Sequence, residues 1–118
     1  MKTIKLYGLR KCSTCVKAMN WLDQHGQAYV FSDYRDQPIA AQHLKDWARE
    51  LGGWEKLVNR ASLTWRNLPG ERKEPGTDSQ WLALIAEFPA LIKRPVAVDA
   101  GGSVSVGFSE KKYGQLFG

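Results

Sequence analysis

The chain has 118 residues, the length of one domain, and 43% of them are hydrophobic, which is enough for a core without disulfide staples. Its two cysteines are too few for a secreted disulfide scaffold, and no run approaches the roughly 18 apolar residues of a membrane span. The net charge of +5 comes without a basic run longer than two residues, so nucleic acid is not an expected partner. Since the N-terminus shows no signal-peptide pattern, we expect a cytoplasmic monomer that contacts neither membrane nor nucleic acid.

The first predicted unit is a strand, a helix and a second strand. The strand covers residues 3–7, the helix runs over about 13–25, and the second strand lies at 28–31. Cys15 belongs to the apolar face of this helix, whereas Cys12 stands at its start. We therefore expect Cys15 to be less exposed than Cys12.

The middle of the chain, about residues 38–88, is predicted to be a helical insert. Pro38 is expected to open a helix that ends at two glycines, and a short helix follows at about 54–58. A third helix is expected to be capped by Asp78 or Ser79.

The last quarter of the chain returns to a strand pattern. Residues 95–98 and 103–106 flank a glycine-containing turn, which predicts a β-hairpin, and Ser109 can cap a last helix. The order β-α-β, helical insert, β-β-α is that of an α/β thioredoxin-like fold with a mixed central sheet. We expect residues 1–118 to form one such domain.

The CxxC segment, Cys12-Ser13-Thr14-Cys15, carries the clearest chemical signal. A cysteine at a helix start lies among unpaired backbone N–H groups at the positive end of the helix dipole, which favours a thiolate. Residues 1–20 contain five basic side chains and no acid, so they account for the whole net charge of +5. Arg10 and Lys11 directly precede Cys12. The sequence therefore predicts a reactive thiol at Cys12 and an anion site at the amides of the following three residues.

Cys15 has two interpretations that the sequence leaves open. It is either a small core residue or the thiol that resolves a disulfide with Cys12. No metal is expected, because the only two histidines, His25 and His43, lack the spacing of a zinc site and no second cysteine pair exists.

Several motifs, taken in order, resemble the ArsC/Spx family, and most of all its YffB branch. They are Cys12 after a first strand, Asp33-Tyr34-Arg35, the stretches at 53–60, 64–68 and 89–95, and Gly107-Phe108-Ser109. The resemblance implies a thioredoxin-like fold with a helical insert, a Cys12 thiolate nucleophile, and arginines that bind an anionic substrate or glutathione.

Two arginines, Arg60 and Arg94, match anion-binding arginines of that family. Its arsenate reductases have a third arginine on the strand before the last helix, but residues 104–108 contain none, and Gly107 stands near that place. Thioredoxin-like folds also hold a cis proline beside the active cysteine, and Pro95 is the candidate.

The resemblance implies a cytoplasmic glutathione-dependent thiol reductase with no bound cofactor and with glutathione as co-substrate. Lys11, Ser13, Thr14, Pro95 and the two arginines would then bind glutathione or a small anionic or thiol substrate. One alternative is an arsenate reductase that works with glutathione and glutaredoxin. Another is a non-enzymatic redox switch that binds RNA polymerase, as in the Spx branch of the family. Regulators of that branch are expected to carry a tail beyond the last helix.

Overall fold

The computed structural model describes residues 3–118, and its first elements follow the predicted β-α-β order. They are the strand β1 (Ile4–Gly8), the helix α1 (Ser13–Gln24) and the strand β2 (Tyr29–Asp33). Lys2, one of the basic residues counted above, lies outside the described residues.

The four-stranded sheet is completed by the predicted hairpin, β3 (Val96–Val98) and β4 (Val104–Val106). Its order is β2-β1-β3-β4, with β1 parallel to β2 and both pairs β1–β3 and β3–β4 antiparallel. The helix α6 (Glu110–Phe117) follows, and the Ser109 hydroxyl caps it as predicted, accepting the Lys112 N–H at 3.0 Å. The chain therefore has the mixed α/β, thioredoxin-like fold that its sequence predicted.

The core of this sheet unit is formed by residues of the sheet together with residues of the helices α1 and α6. Tyr113 of α6 is fully buried and makes edge-on ring contacts with Trp21, Phe108 and Phe117 at centroid distances of 4.7–5.6 Å. Edge-to-face pairs at such distances stabilise a core beyond simple burial of area. The buried cluster consists of Ile4, Leu6, Ala18, Trp21, Leu22, Ala97 and Tyr113.

The chain forms two compact units. One contains the sheet and consists of the residues up to Pro38 together with Arg94–Gly118, and the other is Ile39–Lys93. The expectation of a single domain with an insert at about 38–88 stays a prediction.

The second unit is helical, as predicted, but its boundaries differ. The first helix begins at Ala41 and not at Pro38, because Ala40 still has extended backbone angles. Thr77 and not Asp78 or Ser79 caps the last helix, and its hydroxyl accepts the Gln80 N–H at 3.2 Å. The helices are α2 (Ala41–Leu51), α3 (Trp54–Leu57), α4 (Leu63–Arg66), which was not predicted, and α5 (Asp78–Glu87).

Three tryptophans of the helical unit stack on one another. The Trp81 ring lies between those of Trp54 and Trp65, at centroid distances of 6.1 and 5.9 Å and nearly parallel to both. The indole N–H of Trp54 donates to the Asp78 carboxylate at 2.8 Å.

Within residues 3–118, every helix is too short or too polar to cross a bilayer.

A close contact between Gly8 and Cys15 joins the end of β1 to the first turn of α1. A Cβ atom added to Gly8 would lie 2.5 Å from the Cys15 sulfur, and that side chain is fully buried. The sulfur therefore occupies the space that any larger residue at position 8 needs.

Gly8→Ala is expected to lower the free energy of unfolding by about 1–3 kcal/mol, the usual cost of overpacking. Urea denaturation measures this change. The double variant Gly8→Ala/Cys15→Ala should recover part of the loss, because removing the sulfur frees the space. Gly114→Ala, at an exposed position in α6 with open space around it, is the matched control and should be neutral or stabilising by up to about 1 kcal/mol. A Gly8→Ala variant as stable as the parent would contradict this account of the contact.

Candidate functional site

Cys12 is the N-cap residue of α1 and ends the loop that follows β1. Its backbone is extended (φ −81°, ψ 121°), its N–H donates to the Leu9 carbonyl at 3.1 Å, and its own carbonyl accepts the Val16 N–H at 3.0 Å. Cys12 is half-buried, whereas Cys15, one turn into the helix, is fully buried. The predicted difference in exposure between the two thiols is confirmed.

The carboxylate of Asp33, at the end of β2, holds this loop in place. Its two oxygens accept the backbone N–H groups of Arg10 at 2.9 Å and Arg35 at 2.8 Å. These hydrogen bonds lower the pKa of Asp33, the one to Arg10 most, and they outweigh the opposing effect of burial. The Tyr34 N–H, next in sequence, donates to the Gly8 carbonyl at 3.1 Å. The loop that carries Cys12 is therefore fixed to the end of the neighbouring strand.

Arg94 reaches the same edge of the sheet from the other side of β1. In the antiparallel pair, Val96 faces Tyr7, so the residues before Val96 lie beyond the carboxyl end of β1, where the Cys12 loop begins. The Arg94–Pro95 peptide bond is cis, as the sequence predicted for Pro95. The half-buried Arg94 guanidinium interacts with both the Cys12 sulfur and the Tyr34 hydroxyl.

The two thiols have pKa values shifted in opposite directions. Burial alone would raise the pKa of Cys12, but hydrogen bonds from the Cys15 amide, the Cys15 thiol and the Thr14 amide, with the charge of Arg94, lower it below its ordinary value. Burial is also the largest influence on Cys15 and, together with the neighbouring Cys12 sulfur, raises its pKa to about 11. Cys12 is therefore the thiol that ionises first.

The cation that acts on the Cys12 sulfur is Arg94, which the family resemblance had named, and not the sequence neighbour Arg10. Arg10 pairs with the carboxylates of Asp36 and, at 4.0 Å, Asp33, so acidic partners offset its charge. Arg94, which lies 82 positions after Cys12 in the sequence, supplies the charge that lowers the pKa of Cys12. Lys11 and Ser13 are exposed in the same loop and helix start, and their binding roles stay predictions.

Arg60 lies in the helical unit, in an exposed turn after α3. The turn is built by Asn59, whose side chain accepts the Ala61 N–H at 3.0 Å and whose carbonyl accepts the Ser62 hydroxyl at 2.8 Å. Among the described residues, no ion pair of the Arg60 guanidinium is found. Its role in anion binding stays a prediction.

Two residues of this site, Asp33 and Tyr34, were not predicted to belong to it. The sequence pointed to them only as part of a family motif. A topological signal was nevertheless present, because the carboxyl ends of parallel neighbouring strands meet at one edge of a sheet. Asp33 ends β2 and Cys12 follows β1, so the predicted β-α-β unit already placed them together.

The arrangement combines a half-exposed thiol of lowered pKa, two helix-start amides and a guanidinium. A thiolate in this setting can attack a disulfide sulfur or an oxidised centre, and the guanidinium can hold an adjacent anion. Among residues 3–118, no three His, Cys, Asp or Glu side chains are placed to hold a metal ion.

Comparison with known proteins gives matches over nearly the whole chain. The model of the ArsC family matches residues 7–116. A solved structure of a YFFB protein is 37% identical, with a TM-score of 0.87, and the match covers 98% of this chain and 99% of that one. An arsenate reductase (ArsC) related protein from Brucella melitensis is 33% identical, with a TM-score of 0.76 and coverage of 98% and 94%. The global transcriptional regulator Spx 1 of Lactococcus lactis is 29% identical over 91% of this chain and 83% of its own length.

The pH dependence of alkylation tests the opposite pKa shifts of the two thiols. Iodoacetamide should modify Cys12 with a midpoint below that of a free thiol, about 8.5, and leave Cys15 unmodified near neutral pH. Arg94→Gln should raise the Cys12 midpoint by up to about one unit, because the thiolate loses its cation. Lys11→Gln removes the same charge next to Cys12 in sequence and should change the midpoint less. Equal shifts in the two variants would contradict the assignment of Arg94.

The acid dependence of stability tests the role of Asp33. The pKa of Asp33 is lower in the folded state than in the unfolded state, where it is about 3.9. The carboxylate therefore contributes its full stabilisation above the unfolded-state pKa, and this stabilisation is lost as pH falls through the folded-state pKa. Asp33→Asn should be less stable than the parent at pH 7 and should lose less stability on acidification. Asp46→Asn, which removes a half-exposed carboxylate of α2, is the matched control for the loss of one acidic side chain. Urea denaturation at several pH values measures all three proteins.

Proposed function

This chain belongs to the ArsC family, and we propose that it is a thiol-dependent reductase with a Cys12 thiolate as nucleophile and glutathione as co-substrate. The observation that supports this proposal best is the asymmetry of the two thiols. Cys12 is half-exposed and has a lowered pKa beside a guanidinium, whereas Cys15 is buried and has a pKa of about 11. Such an asymmetry is typical of a nucleophilic cysteine and not of a structural one.

The proposed reaction is two successive thiol–disulfide exchanges. The Cys12 thiolate attacks the glutathione sulfur of a mixed disulfide between glutathione and a substrate thiol. A bond forms between Cys12 and glutathione, the former disulfide breaks, and the substrate leaves as a thiolate that takes a proton from water. A second glutathione thiolate then attacks the sulfur of the bound glutathione, which releases oxidised glutathione and regenerates the Cys12 thiolate. Overall, one mixed disulfide and one glutathione become one thiol and one glutathione disulfide.

The binding groups of this proposal come from the Cys12 loop, the start of α1, the two residues before β3 and the turn after α3. Arg94 would stabilise negative charge near the reacting sulfurs, since a guanidinium pairs with anionic groups through its planar fork. The amides of Thr14 and Cys15 add the donors of the helix start. In this proposal Lys11, Ser13, Pro95 and Arg60 bind the remainder of glutathione.

Glutathione is a better candidate than Cys15 for the second exchange. Burial, the largest influence on Cys15, raises the pKa of its thiol and so disfavours the thiolate that the second exchange needs. The Cys15 sulfur is also packed against Gly8 and has no solvent exposure. An external thiol can instead approach the half-exposed Cys12 directly.

Arsenate reduction is a second candidate, since the similar Brucella melitensis protein is described as arsenate reductase related. The same thiolate and Arg94 would serve it. However, Gly107 stands near the place of the third arginine, and a Cβ added to it would meet only open space. A multiply charged oxyanion would therefore have one cation fewer than in the arsenate reductases, which favours a substrate of lower charge.

A redox-dependent regulator is the third candidate, because a global transcriptional regulator, Spx 1, is similar over most of its length. The CxxC of this chain provides the two thiols that such a switch would close under oxidation. That function requires a disulfide between Cys12 and Cys15, whereas the reductase requires only Cys12.

Glutathione-dependent reduction of a small mixed disulfide tests the proposal. The parent should turn over, Cys12→Ser should lose activity by a factor on the order of 10³ or more, and Cys15→Ser should retain most of it. Two parallel assays test the alternatives. One measures arsenate reduction in the presence of glutaredoxin, and the other is a pull-down with RNA polymerase under oxidising and reducing conditions. A Cys12 pKa near 8.5 together with no turnover would refute the thiol reductase, and loss of activity in Cys15→Ser would refute glutathione as the resolving thiol.

A further inference from the structure

Tyr34 has a buried hydroxyl that lacks a hydrogen-bond partner of regular geometry. Its side chain is only 4% exposed, and within residues 3–118 the hydroxyl is one of three buried side-chain polar atoms without a hydrogen-bond partner of regular geometry. A buried hydroxyl without a partner costs about 1–3 kcal/mol, so its presence calls for a physical reason.

The hydroxyl lies among the groups of the candidate site. In the sheet register Gly8 faces Asp33, so Tyr34 follows directly at the carboxyl end of β1, where its N–H donates to Gly8. Arg94 arrives at the same place from β3. The phenol is placed beside the Arg94 guanidinium and within electrostatic range of both cysteine sulfurs.

We propose that Tyr34 is a positioning residue for the thiol chemistry, and that its buried hydroxyl orients the Arg94 guanidinium toward the Cys12 sulfur. This inference rests on the proposed function, in which the Cys12 thiolate is the nucleophile. Tyr34 acts through Arg94 and does not contact the substrate, because its oxygen is sealed from solvent.

A phenol suits this task better than a carboxylate. Arg10 shows the contrast, since the Asp36 carboxylate that binds it also offsets its charge. Burial raises the pKa of Tyr34, and the nearby sulfurs act in the same direction, so the hydroxyl stays neutral at physiological pH despite the opposing effect of Arg94. A neutral oxygen can accept from the guanidinium and leave its full positive charge for the thiolate.

Tyr34→Phe removes only this oxygen and should raise the pKa of Cys12 by about 0.5–1 unit. The thiolate fraction at a pH below both values would fall about three- to tenfold, measured as the rate of iodoacetamide alkylation against pH. Tyr113→Phe is the matched control. It also removes a buried, unpartnered hydroxyl, but one whose electrostatic neighbour is Cys15 and not Arg94, so the pKa of Cys12 should not change.

A double-variant cycle distinguishes positioning from a direct effect on the sulfur. If Tyr34 acts through Arg94, Tyr34→Phe should add no further shift in an Arg94→Gln background, because the group that it orients is gone. An equal shift in both backgrounds, or no shift in the folded single variant, would overturn the proposal. Circular dichroism confirms that each variant is folded.

A measurement on the unmodified protein does not depend on how the variants fold. The guanidinium N–H protons of Arg94 should exchange slowly with solvent, and its side-chain ¹⁵N resonances should shift as Cys12 titrates. A guanidinium whose protons exchange freely would overturn the proposal. Because alkylation and resonance shifts do not require turnover, their result is separate from the activity assay. A protein that shows both effects but reduces no mixed disulfide would keep the positioning role and lose the proposed reaction.

Discussion

The two hydrogen bonds that Asp33 accepts from the amides of Arg10 and Arg35 are the interaction on which the candidate site depends. The bond from Arg10 fastens the loop after β1 to the end of β2, and the bond from Arg35 fixes the turn that follows β2. The loop after β1 in turn sets the position of Cys12 at the first turn of α1. A buried carboxylate that accepts backbone N–H groups stays ionised and gives the loop a single geometry. Without that geometry, the amides of the helix start and the Arg94 guanidinium would have no fixed sulfur to act on.

The fixed loop lets two thiols in one short segment behave in opposite ways. Cys12 faces donors and a cation, whereas Cys15 has its sulfur packed against Gly8 and is hidden from solvent. The Cys15 thiol even supports its neighbour by donating a hydrogen bond to the Cys12 sulfur. A CxxC segment in this fold therefore does not by itself imply a disulfide, since the second cysteine can serve as packing and as a donor.

Much of the fold could be predicted because local signals specify it. The Ser109 cap, the left-handed Gly52 after α2 and the apolar face of α1 are short-range features, and each marks an element that the structure contains. The four-residue helix α4 was missed because it makes only about one turn, which is too short for apolar residues to recur at helical spacing. The 3₁₀ turns at Gly70–Lys73 and Pro89–Leu91 were not predicted for the same reason.

The site was harder to predict than the fold, because its electrostatics come from distant residues. Cys12 could be identified from its position at a helix start, and the family resemblance supplied Arg94. The sequence neighbours misled the interpretation of charge, since Arg10 lies two residues before Cys12 but its guanidinium is bound by Asp36. The place of Tyr34 beside Arg94 follows from strand pairing, which joins three separate segments of chain at one sheet edge.

The central position of β1 also has a consequence for how the molecule is made. Lys5 pairs with Val98, and closing a loop of about 90 residues costs about 1 kcal/mol more entropy than the β1–β2 pairing, which spans about 25. A polypeptide emerging from the ribosome must therefore keep one side of β1 unpaired until β3 has been synthesised, which slows folding and leaves an open strand edge for that time. The guanidinium next to Cys12 arrives with the same late segment. Until β3 pairs with β1, the Cys12 thiol would thus have the donors of the helix start but not the charge of Arg94.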